Sequence, residues 1–197
     1  MGRASRRRKE QTREERTAGR EVQPMTFREF VEKVQTAEEE DFARRLGADN
    51  DPFPRLLLER EGRVSILAFD GRMTATEEGK NAMTAAGLQA VIANRAEKVA
   101  FAHIVWMLLE QADVEASQAG GLMPSENPNR VEAHILTVLD RERVETYIAR
   151  VERLGEEKRG HLRPWNEDFG GAALVDDAAT DTYVDSRFIN PIKEALK

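Results

Sequence analysis

The chain has no cysteine, only three histidines and few aromatic residues. The first absence excludes disulfides, thiolate zinc sites and cysteine nucleophiles. It also fits a reducing compartment. The histidines (His103, His134 and His161) show none of the HxH, HExxH or HxxxH spacings of metal sites, so no metal is expected. The longest apolar stretch, residues 99–109, is interrupted by His103 and falls short of the roughly 20 residues that span a bilayer. The charged start is followed by no apolar segment, so no secretory signal is expected and the reading is cytoplasmic. Also missing are Gly-x-Ser-x-Gly, the dinucleotide glycine fingerprint and the phosphate-cradling loop with its Lys-Ser/Thr pair. No cofactor is therefore expected.

What the chain does have is charge, unevenly placed. The net charge over 197 residues is −6. Residues 1–20 hold eight Arg or Lys against three Glu, a net of +5, which leaves −11 for the rest. A basic arm on an acidic body points to a polyanion such as nucleic acid or to an acidic protein surface. The residues that would contact it are Arg3, Arg6, Arg7, Arg8, Lys9, Arg13 and Arg16. The segment has no large apolar side chain between Met1 and Val22, so residues 1–24 are expected to be disordered or transiently helical.

Beyond Pro24, Thr26 and Glu29 form a capping-box pattern, and Phe27, Phe30, Val31 and Val34 follow at helical spacing. This predicts a helix over 26–45, with Phe42 and Leu46 continuing its stripe imperfectly. Residues 55–61 and 63–70 predict a hairpin around Gly62, with both faces at least half buried. Thr76 opens a second helix whose buried face is Ala85, Leu88, Val91 and Ile92, and Gly87 allows close packing on the sheet. Residues 99–109 predict a buried strand with Trp106 in the core. Residues 131–139 and 144–151 predict a second hairpin around Asp140. Asn190 and Pro191 open a short final helix.

The expected fold is α+β, with an antiparallel or mixed sheet of about five strands and helices on one face. The expected divisions are an arm (1–24), an α+β domain (25–155) and a loop-rich tail with a short C-terminal helix (156–197). An acidic run at Asp176, Asp177, Asp181 and Asp185 fails the calcium-loop pattern, because Asp181 stands where glycine is needed.

The long loop 111–130 is the other candidate site. Ser125, Glu126, Arg130, Glu132 and His134 lie in or just after it. Pairing of strands 99–109 and 131–139 would bring His103 and His134 close. Turn chemistry accounts for Ser125, and a local ion pair accounts for Glu126 with Arg130. Trp165, in a polar loop, either folds back on the body or anchors a partner. The leading reading is a non-enzymatic binding or assembly protein that could form a homo-oligomer and has no membrane role. The alternatives are a small hydrolase or ligand-binding enzyme using the 111–130 loop, and a structural component of a phage-type assembly.

Overall fold

The computed structural model describes residues 24–44, 53–122, 124–155, 159–169 and 186–197. The basic arm, Leu46 and the acidic run lie outside the described residues.

Helix α1 (Phe27–Arg44) starts as the sequence predicts. The Thr26 amide and hydroxyl both donate to Glu29 at 2.8 Å, closing the capping box. Strands β1 (Arg55–Arg60) and β2 (Arg63–Ala68) form the first hairpin. Glu61 (φ 51°) and Gly62 (φ 75°) make its two-residue turn, the geometry that matches strand twist. Helix α2 (Glu77–Asn94) is capped by the Thr76 hydroxyl, which accepts from Gly79 N at 3.0 Å. Then come β3 (Lys98–Met107), α3 (Gln111–Gln118), β4 (Val131–Leu139), β5 (Val144–Leu154), β6 (Arg159–Leu162) and α4 (Ser186–Ala195).

Among the described residues, six strands run in the order β2-β1-β3-β4-β5-β6, each antiparallel to its neighbours. The α+β class and the antiparallel sheet agree with the sequence reading, but the sheet has six strands and is covered on both faces. Leu56, Leu58, Val99, Phe101 and Ile135 meet α2 and α4 on one side. Leu57, Ala100, Ala102, Leu136 and Val138 meet α1 on the other. The physical reason is legible in β1 and β3. Leu56-Leu57-Leu58 and Val99-Ala100-Phe101-Ala102 are apolar at every position, so a cover on one side alone would leave half of each strand in water.

Several local expectations are corrected. The fully buried positions of α2 are Met83, Gly87 and Val91, while Ile92 is exposed. Strand β2 is a sheet edge and mostly exposed. Trp106 is 44% exposed, since α1 covers the sheet elsewhere; the Arg130 guanidinium lies 4.7 Å from its ring centroid. Residues 111–118 form a helix inside the predicted loop, with no buried residue and no side-chain cap at its start. Its Asp113 accepts from Asn129 at 3.0 Å and Asn127 at 3.4 Å, contacts that no local pattern announces.

Two pieces of the segment read as a tail belong to the body. Residues 159–162 supply β6. Helix α4 begins at Ser186, with Pro191 inside it rather than at its first position. Proline inside a helix costs about 3 kcal/mol. Burial of Phe188, Ile189, Ile192 and Leu196 on one stripe outweighs it.

Gly87 lets α2 pack close against this layer. A Cβ there would stand 3.2 Å from the Phe188 ring and 3.6 Å from Leu56. Gly87→Val should therefore overpack the layer and lower stability by about 1–3 kcal/mol, read by denaturant unfolding. An unchanged midpoint would show that α2 can lift without loss.

Candidate functional site

The most concentrated set of ionisable groups sits between the C-terminal half of α1 and the sheet. The apolar stripe of α1 runs Phe27, Phe30, Val31 and Val34, and its next buried members are Glu38 and Phe42. Glu38 therefore occupies a core position, and its side chain is 1% exposed. Arg55 Nε donates to Glu38 Oε1 at 2.9 Å and Nη2 to Oε2 at 2.5 Å. Arg55 Nη1 donates to Asp41 Oδ2 at 2.5 Å.

His134, also 1% exposed, completes the cluster. Its Nε2 lies 2.9 Å from Glu38 Oε2, and its Nδ1 lies 3.1 Å from the His103 carbonyl oxygen. A carbonyl oxygen only accepts, and so does an ionised carboxylate. Each ring nitrogen therefore faces an acceptor. The cluster gathers two carboxyl groups, Glu38 and Asp41, around the Arg55 guanidinium and the His134 ring. Phe42 and Trp165 wall it, with ring centroids 4.9 and 5.7 Å from that of His134.

Burial pushes the Glu38 carboxyl up, but hydrogen bonds from His134 and Arg55 outweigh it, so it titrates below its ordinary value of 4.5. A carboxyl depressed in the folded state stabilises the fold above its unfolded value. That contribution is lost as pH falls through the folded value. Thermal stability should therefore drop on acidification below about pH 4.5. Glu38→Gln, which removes the titrating group, should flatten that decline. An identical acid limb in the variant would place the effect elsewhere.

The other residues that the sequence points to are spread out. Arg130, Glu132 and His134 alternate onto the same sheet face as α1, but each has its own partner. Arg130 lies over Trp106, Glu132 accepts from Arg153 Nε at 3.0 Å, and His134 is tied to Glu38. Ser125 and Glu126 are exposed in a turn. His103 and His134 do not converge. In the β3–β4 register His103 faces Ile135 and His134 faces Ile104, so adjacent positions send the two rings to opposite faces. Instead the His103 ring packs on Phe101, at 4.8 Å between centroids. Among the described residues no His, Asp or Glu group could hold a metal ion. Trp165 folds back on the body, donating from Nε1 to Glu39 at 2.8 Å.

A second buried pair lies at the opposite end of α1. Lys98 Nζ donates to Glu59 Oε2 at 2.9 Å, and Glu59 Oε1 accepts from Gly62 N at 2.7 Å. It locks the first hairpin to β3. Beside it runs an open groove of about 630 Å³, lined by Thr26, Phe27, Lys98, Asp140, Arg141 and Arg143 among others. Lys98 is bound to Glu59, while Arg143 is paired with Asp140 and stacked over Phe27. The groove thus presents mixed charge, half of it already paired.

Sequence reasoning misses Glu38, Arg55, Glu59 and Lys98. A signal exists for each: a charged residue standing where the helix or strand period requires an apolar one.

Among the described residues no helix is long and apolar enough to cross a membrane. Comparison with protein-family models, with curated proteins and with solved structures finds no match to this chain.

Proposed function

We propose that this is a non-enzymatic binding protein whose acidic α+β body carries an Arg-rich segment that neutralises the phosphates of a nucleic acid. The observation that carries the reading is the charge split, +5 over residues 1–20 against −11 over the rest. Backbone phosphates are the partner that such a segment suits, because each phosphate neutralised by Lys or Arg releases condensed counterions. No aromatic residue lies between Met1 and Gln23, so base stacking has no donor there and binding should be insensitive to sequence. The body supports binding over catalysis in one respect. The polar atoms of its densest ionisable cluster are directed at one another, and His134 and Glu38 are closed to solvent.

The test is the salt dependence of duplex DNA binding by the full chain and by a variant with Arg6, Arg7 and Arg8 all changed to alanine. The slope of log affinity on log salt should become shallower by about 0.9 for each phosphate that the variant no longer neutralises. Equal slopes for the two proteins would remove the arm from the interface.

A further inference from the structure

The two edges of the sheet differ. Strand β6 is four residues long and is followed within two residues by Pro164. Strand β2 is six residues long, and from Val64 through Phe69 it contains neither proline nor charge. Such residues are the usual guards of a free edge.

The hairpin register shows which backbone groups of β2 are open. Arg60 and Arg63 flank the two-residue turn and form a paired rung, and Phe69 N donates to Pro54 O at 2.8 Å. Hydrogen-bonded rungs alternate in an antiparallel pair, so Arg63, Ser65, Leu67 and Phe69 point theirs at β1. Val64, Ile66 and Ala68 turn their N–H and C=O groups away from the sheet. Their side chains share the face covered by α1, yet Ile66 is 64% exposed.

We infer that β2 is a self-pairing edge, at which a second copy of this chain adds its own β2 antiparallel across a two-fold axis through Ile66. Three features select a second copy as the occupant. In this register Val64 faces Ala68 and Ile66 faces Ile66 of the second copy, so every outward backbone group meets a partner. The opposed side chains on that face are all apolar. At each end of the paired strands the charges complement one another. Arg63 falls opposite Phe69 and next to Asp70 of the second copy, a carboxylate that its own Arg72 also contacts, and no like charges are directly opposed. The isologous contact closes on itself and yields a dimer rather than a fibre. One added strand buries less than the roughly 800 Å² per partner of a standard interface, so the dimer is weak and reversible.

Sedimentation equilibrium of the full chain, from low micromolar to near-millimolar concentration, tests this. The wild type should shift from monomer toward dimer across the range. Ile66→Lys sets two ammonium groups face to face and should weaken the dimer by more than about tenfold. Its melting temperature should hold, because the side chain is already mostly in water. Arg63→Asp and Asp70→Arg should each weaken association, and the double swap should restore it. A wild type that stays monomeric throughout would overturn the proposal. So would a dimer that survives Ile66→Lys, or charge swaps whose double variant is no tighter than the singles.

Discussion

Glu38→Ala should be among the most destabilising single substitutions in this protein, at about 3–5 kcal/mol. The alanine removes every acceptor that Glu38 offers. Arg55, buried at the head of β1, keeps only Asp41, and His134 Nε2 faces an apolar gap. Removing one partner of a buried ion pair costs far more than the pair itself contributes, because the charge left behind stays desolvated. Glu38→Gln should cost less, about 1–3 kcal/mol. Its amide oxygen still accepts from Arg55, and the amide fills the same volume. Denaturant unfolding of the two variants gives the comparison. Equal losses would mean that the volume and the acceptor oxygen kept by glutamine contribute nothing, and that the carboxylate charge alone governs the site.

The second large effect concerns the arm. If the seven cations of residues 3–16 engage six or seven phosphates, affinity for duplex DNA should fall about 10³- to 10⁴-fold between 50 and 200 mM salt. The eight cations of residues 1–20 set the ceiling on that number, and the three Glu among them reduce it. The acidic remainder of the chain adds repulsion, so a body deprived of the arm should bind no better than background.

How much of the molecule is readable from its sequence depends on the kind of signal. The start of α1 is legible because Thr26 and Glu29 satisfy each other within one turn. The first hairpin is legible because Gly62 accepts a positive φ. Such features are local, and the sequence states both partners together. The number of helical layers is legible in principle, since β1 and β3 are apolar at consecutive positions, but that reading requires knowing that they are central strands. Helix α3 is hidden because Asp113 is held by Asn127 and Asn129, more than a dozen residues away. The Glu38–Arg55–His134 cluster is hidden for the same reason. Its members come from α1, β1 and β4, and only the fold brings them together. His134 stands out in the sequence as a histidine, yet its partner is Glu38 rather than His103, since strand alternation separates the two rings.

The most direct test of the central claim compares the full chain with residues 25–197 in binding labelled duplex DNA at several salt concentrations. Matched melting temperatures would establish that the body is intact in both. The account predicts steeply salt-dependent, sequence-independent binding by the full chain and none by 25–197. Binding that persists in 25–197 with an unchanged slope would contradict it.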